Sequence, residues 1–354
     1  MVKKRASLLN TMLRAGMRAG IQANKQQQRT AARMLGALMA PPAKPRAKKP
    51  AAAKPARPPL PGKWLSLNFA TLTTRMRYWL YVPASAHVGL PLVVMLHGCE
   101  QTAASFADGT RMNRAAEKAG YAVLYPQQSV SSHPHRCWKW YDRATQQGGV
   151  DAATIAALVK AVVLAWPIDP ARIYIAGISA GAAMAHIVAL NHPGLFAGLG
   201  MHSGPAFGAG HSAVGALGVM QHGVGGRTEE AIAEVLLRQS AQAHLPTIVI
   251  HGDEDAVVRP VNQLQVAQQA LHLNGLAGGV EKVTDRAATS RTLAHRIRDV
   301  CRGRKPMLRI VSIAGLKHAW SGGDARFKFN SAAGPDASKL MLEFFSKHRG
   351  SVLP

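Results

Sequence analysis

Beyond residue 63 the chain alternates between short apolar runs and longer amphipathic stretches, each with the period of its own kind of element. Lys63–Thr73 and Met76–Val82 have strand character, and in the second (RMRYWLYVP) apolar and polar positions alternate. Pro91–Gly98 (PLVVMLHG) is a continuous apolar run, the pattern of a strand covered on both faces. Thr102–Ala119 follows as a helix stopped by Gly120, then Tyr121–Tyr125 as a strand and Asp151–Ala165 as an apolar helix with Asp151 at its N-cap. Arg172–Ala176 (RIYIA) reads as a buried strand and Ala182–His192 as a helix. Leu195–Met201, Thr247–Ile250 and Leu308–Ile313 continue the strand series, and Asp336–His348 is a closing helix. This alternation predicts an α/β fold, a mostly parallel sheet with helices on both faces. Two stretches carry no clear pattern. Gly204–Gly226 is Gly-rich, and Asn274–Lys305 is polar and basic with one strand expected around Leu293–Val300; both read as surface insertions.

Charge divides the chain. The formal net charge of its 354 residues is +25, yet the first acidic residue is Glu100, and seventeen Lys and Arg precede it. Residues 1–63 therefore read as a basic arm and 64–354 as the folded domain. Met1–Met39 has helix-forming composition, whereas Pro41–Pro61 (PPAKPRAKKPAAAKPARPPLP) has too few apolar side chains for a core and reads as an extended linker. The arm is expected to be a solubilising tail or to contact an anionic surface or a polymer particle. It has no aromatic residue before Trp64, which removes any base-stacking platform and argues against specific nucleic-acid binding. The most apolar stretch of the arm, Met34–Ala40, is short and far from the start for a secretory signal, and no run is long enough for a transmembrane segment. The three cysteines are too few for a disulfide scaffold; Cys99 with Cys137 is the pair to test.

The candidate chemistry centres on Gly177-Ile178-Ser179-Ala180-Gly181, a serine flanked by glycines between an expected strand and an expected helix. Such a turn projects the hydroxyl above the sheet as a nucleophile. The motif alone is weak, since composition generates G-x-S-x-G about 0.15 times in such a chain. Three further features strengthen it. A base must follow an acid in the order Ser, acid, His, and His318 lies in GLKHAWSGG directly after a late strand. The strand Thr247–Ile250 runs into Asp253, Glu254 and Asp255; Asp255 fits best on the loop past the strand tip, and Asp253 suits loop amides better. The loop Leu96–Thr102 (LHGCEQT) and the residue after the serine offer backbone N–H donors for an oxyanion, from Cys99 and Ala180. Trp138 and Trp320 are candidate walls of an acyl pocket. His133, His135 and Cys137 form H-x-H-x-C, but no fourth ligand is apparent, so no metal and no cofactor is expected.

Together these residues resemble the polyhydroxybutyrate depolymerase-type esterases of the α/β-hydrolase superfamily, a group that includes short-chain polyhydroxyalkanoate depolymerases and feruloyl and acetylxylan esterases. The resemblance runs from about Met76 to His348 and is carried by RYWLYVP, LHGCEQT, CWKW, GISAG with the later MHSG, HGDEDAVV, GLKHAWSGG and GPDAS. It implies Ser179 as nucleophile, Asp255 as acid and His318 as base, with the amides of Cys99 and Ala180 as the oxyanion hole. It further implies hydrolysis of an ester substrate through an acyl-serine intermediate and, for many relatives, an extracellular location. Lys317 departs from the pattern, standing where a glycine is expected.

Overall fold

Ten strands form one sheet, and the computed structural model describes them within residues 59–238, 244–276 and 278–350. The arm expected over residues 1–63 lies outside the described residues as far as residue 58. The strands are β1 (Lys63–Ala70), β2 (Arg75–Val82), β3 (Leu90–Leu96), β4 (Ala122–Pro126), β5 (Ile168–Ile178), β6 (Gly198–His202), β7 (Thr247–Gly252), β8 (Val280–Arg286), β9 (His295–Arg302) and β10 (Lys305–Ile313). Their order across the sheet is β1-β2-β4-β3-β5-β6-β7-β10-β9-β8. The central pairs, from β4–β3 to β7–β10, are parallel, and antiparallel strands flank them at both ends.

Burial alternates as the pleat requires. Leu92, Val94 and Leu96 of β3 belong to the core on one face, with Ile155 and Val159 of the helix Asp151–Ala165. Val93 and Met95 point into the core on the other, with Phe106, Ile250 and Phe345. Both faces of the central strands are covered, which is why β3 reads as an unbroken apolar run. The helices are α1 (Ala103–Thr110), α2 (Met112–Ala119), α3 (Arg143–Gln146), α4 (Asp151–Ala165), α5 (Ala180–Asn191), α6 (Ala213–His222), α7 (Thr228–Leu237), α8 (Val261–Leu273) and α9 (Ala337–Phe345). Among the described residues no helix is long and apolar enough to cross a membrane.

Several expectations are corrected. The single helix over Thr102–Ala119 is two, because Arg111 takes a left-handed conformation (φ 58°) between α1 and α2. Asp151 is the first residue of α4 rather than its N-cap, and its carboxylate accepts a hydrogen bond from Gln128 at 2.6 Å. The Gly-rich stretch contains α6, and the polar stretch contributes β8 as well as β9, which extend the sheet beyond β10.

Candidate active site

Five loops at the carboxyl ends of β3, β5, β6, β7 and β10 converge, the place where a parallel sheet presents its chemistry. Ser179 caps α5 at φ 55° and ψ −125°, backbone angles that a non-glycine residue rarely adopts. Its N–H donates to His202 O at 3.0 Å, which holds the turn to β6. The close packing of the turn explains its glycine at 181: a Cβ there would lie 2.1 Å from Leu96 O and 2.5 Å from His97 O. Only glycine lets the start of α5 rest directly on the backbone leaving β3. Ser179 is half-buried at the head of an otherwise buried helix.

Asp255 and His318 are brought together by the loops after β7 and β10. His318 Nδ1 donates to Asp255 Oδ2 at 2.8 Å, and the carboxylate side chain is fully buried. Its other oxygen accepts the N–H groups of Val257 at 3.0 Å and Val258 at 2.9 Å. Burial alone would raise the Asp255 pKa, but the His318 hydrogen bond, the facing imidazoles and the Val258 amide outweigh it and hold the carboxyl below its ordinary range. With Nδ1 carrying the proton, Nε2 of His318 is left as the basic nitrogen. Gly252 makes the approach of the two loops feasible, since a Cβ there would sit 1.9 Å from Leu316 O. Asp253 serves the loop: its Oδ1 accepts Gly315 N–H at 2.7 Å. Lys317 is exposed to solvent. Among the described residues neither Ser179 Oγ nor His318 Nε2 makes a hydrogen bond within the protein.

The loop after β3 is heavily braced. Cys99 is bridged to Cys137, so the pair singled out from the sequence is a disulfide and Cys137 offers no thiolate to a metal. Gly98 N–H is taken by Gln101 Oε1 at 2.8 Å. Among the described residues the amides of Cys99 and Ala180 have no protein acceptor, the latter as the first N–H of α5. His97 is buried, and burial pulls its pKa down to about 4. It therefore stays neutral, with Nδ1 donating to Gly98 O at 2.8 Å and Nε2 accepting Gln128 N–H at 3.2 Å.

Trp138 and Trp320, expected as pocket walls, lie in the core of this structure. Both rings are fully buried. Trp138 Nε1 donates to His97 O at 3.0 Å and so props the loop of Cys99 from beneath. Trp320 packs between Phe106 and His202 and donates to Ser338 Oγ at 3.3 Å. Their indole N–H groups found partners in the core, where aromatic bulk is worth most. The aromatic ring beside the site is instead Phe329, half-buried, at 6.5 Å and 74° from His318, with a left-handed φ of 59°. Its neighbour Lys328 reaches Glu100 at 3.3 Å and ties this loop to that of Cys99. Sequence reasoning missed Phe329 because it lies eleven positions past the histidine in a loop without periodicity. His251, also overlooked, is buried 3.6 Å from Asp255 and donates to Val258 O at 2.8 Å, bracing the turn that carries the acid.

Comparison with known proteins agrees with this architecture. The model of the family "Esterase PHB depolymerase" matches residues 76–292. A poly(3-hydroxyalkanoate) depolymerase C of Paucimonas lemoignei is 29% identical over 256 residues, covering 71% of this chain and 60% of that protein. A probable acetylxylan esterase A of Aspergillus clavatus is 28% identical over 216 residues, covering 57% of this chain and 68% of the relative. Among solved structures, an acetyl xylan esterase from Aspergillus awamori superposes with a TM-score of 0.64 at 19% identity, over 80% of this chain and 99% of that one, which shows a shared α/β-hydrolase fold.

Proposed function

Because this chain belongs to the Esterase PHB depolymerase family, we propose that it is a serine hydrolase of carboxylic esters that cleaves short 3-hydroxyalkanoate oligomers or polymers. The observation that carries the reading is the 2.8 Å hydrogen bond from His318 to the buried Asp255, on loops at the same end of the parallel strands as the strained turn of Ser179. In the mechanism this supports, Ser179 Oγ attacks the ester carbonyl and passes its proton to His318 Nε2. Asp255 keeps the imidazole oriented and stabilises its cationic form. The negative charge on the carbonyl oxygen is met by the amides of Cys99 and Ala180, each worth about 2.7–4 kcal/mol on the oxyanion-hole precedent. His318 then protonates the departing alcohol. A water molecule, activated by the same nitrogen, releases the acid from acyl-Ser179.

A second reading, an esterase of acetylated or feruloylated carbohydrate, is favoured by the acetylxylan esterase relative and by the breadth of the superposition on the acetyl xylan esterase structure. The basic arm would deliver the enzyme to an anionic or particulate surface. The chain spans 60% of the length of the depolymerase it matches, so polymer cleavage needs its own test. Purified full chain and Ser179→Ala should be compared on p-nitrophenyl esters, feruloyl esters, acetylated xylan and polyhydroxybutyrate. We expect turnover of short acyl esters and of polyhydroxybutyrate, abolished in Ser179→Ala with unchanged circular dichroism. Activity confined to the carbohydrate esters favours the second reading, and equal turnover by both proteins overturns the serine mechanism.

A further inference from the structure

β6 lies between the strand that leads to Ser179 and the strand that leads to Asp255, and it ends in His202. This side chain has no exposed surface and no part in the steps above. The residue nonetheless joins the turn of Ser179 to the loop that follows His318. Its carbonyl accepts Ser179 N–H at 3.0 Å, and the next amide, Ser203 N–H, donates to Ile250 O of β7 at 2.9 Å. Its ring stacks on Trp320, 5.0 Å between centroids and 23° between planes. Nε2 accepts the N–H of Ser321 at 3.1 Å. Trp320 and Ser321 follow His318 by two and three residues, so this imidazole ties the loop of the base to the end of β6, beside the contacts that Trp320 and Ser321 make with Phe106, Pro335 and Ser338.

We propose that His202 is a positioning residue for ester hydrolysis: it locks the loop that carries His318 to the strand end that holds Ser179, and so sets the distance between nucleophile and base. The proposal rests on the serine-esterase reading. A nitrogen that accepts from an amide must be unprotonated, so Nδ1 carries the proton and donates to Ser203 Oγ at 3.2 Å. Burial, with the nearby His251 and His318, pulls the His202 pKa down to about 3, so the acceptor survives throughout the neutral range. Ser321 is itself buried, and no solvent can replace Nε2 as its partner. A displacement of about 1 Å between reacting groups is enough to cost about 100-fold in rate, which is why such an anchor matters.

A core histidine that merely fills space and one that positions the base respond differently to substitution. His202→Phe keeps a ring against Trp320 but has no acceptor; His202→Gln offers Oε1 near the place of Nε2. The account predicts that His202→Phe loses about 30-fold in kcat with KM within about two-fold, and that His202→Gln recovers most of the loss. Hydrogen exchange at the Ser321 amide, followed by NMR on the full chain, should be about tenfold faster in His202→Phe and close to wild type in His202→Gln. If His202→Phe does not fold, His202→Leu, which also has no acceptor, replaces it in both assays with the same expectations. Equal impairment of the acceptor-free and Gln variants, or unchanged kcat and exchange in the acceptor-free variant, overturns the proposal. Equal ester turnover by wild type and Ser179→Ala overturns the esterase reading instead, and exchange at Ser321 still decides whether His202 holds the loop.

Discussion

Acid should destabilise this fold through histidines that have nothing to do with its chemistry, and His186 isolates the effect. It lies on α5, buried, against Phe207 at 5.9 Å in a pocket with Trp140, Ile187 and Ala206. Its Nδ1 has no hydrogen-bond partner, and burial pulls its pKa from an ordinary 6.5 to about 4. The unfolded chain thus takes up a proton as pH falls below 6.5, while the folded chain refuses it until about 4. Stability is present above pH 6.5 and is lost progressively as pH falls toward 4, at about 1.4 kcal/mol for each pH unit well inside that window. Between pH 8 and pH 5 the loss from this residue comes to about 2 kcal/mol. His186→Leu removes both the titration and an unpaired buried nitrogen, whose cost is about 1–3 kcal/mol. Urea unfolding followed by tryptophan fluorescence at pH 8, 7, 6 and 5 should find the variant at least as stable as wild type at pH 8. Its advantage should widen by about 2 kcal/mol at pH 5. Parallel pH dependences for the two proteins would refute the reasoning, since they would mean that His186 is protonated as readily folded as unfolded.

Three other variants probe the site. Asp255→Asn leaves the shape of the acid loop but removes the charge that orients His318; steady-state kinetics should record a fall in kcat of about 10⁴-fold with little change in KM. Gly181→Ala drives a methyl group into the backbone of β3, with Leu96 O only 2.1 Å away, and thermal unfolding should report a loss of more than about 3 kcal/mol or no soluble protein. Replacing Cys99 and Cys137 together by serine opens a loop of sequence separation 38 and should cost about 4 kcal/mol in urea unfolding, together with a lower kcat as the Cys99 amide loses its anchor.

The central strands and the meeting of Asp255 with His318 were legible because each depends on short-range pattern: β3 is a continuous apolar run, β7 carries Ile248, Val249 and Ile250, and both residues sit on loops that follow strands. The region after β6 was opaque for a different reason. Its backbone is satisfied by amide side chains that arrive from far along the chain: Asn262 Oδ1 accepts from Ala206, Gln269 Oε1 from Phe207 and Gln265 Oε1 from Val224. Those buried amides also interrupt the apolar face of α8, so that helix was not read from the sequence. β8 has no buried position at all; it is held by pairing with β9 and by the Asp285–Arg296 ion pair, which no local pattern announces. The burial of Trp138 and Trp320 was not legible, because an aromatic beside a reactive loop looks the same in sequence whether it lines a pocket or packs under the loop. The indole partners, His97 O and Ser338 Oγ, come from distant parts of the chain and no local pattern announces them.

The central claim is that Ser179 becomes covalently acylated. Mixing the full chain with a molar excess of p-nitrophenyl acetate, quenching in acid within the first turnovers and mapping peptides by mass spectrometry tests it directly. The account predicts a burst of p-nitrophenol and an acetyl group on the peptide bearing Ser179, both absent in Ser179→Ala. An acetyl group on another residue, or a burst that survives in Ser179→Ala, would contradict it.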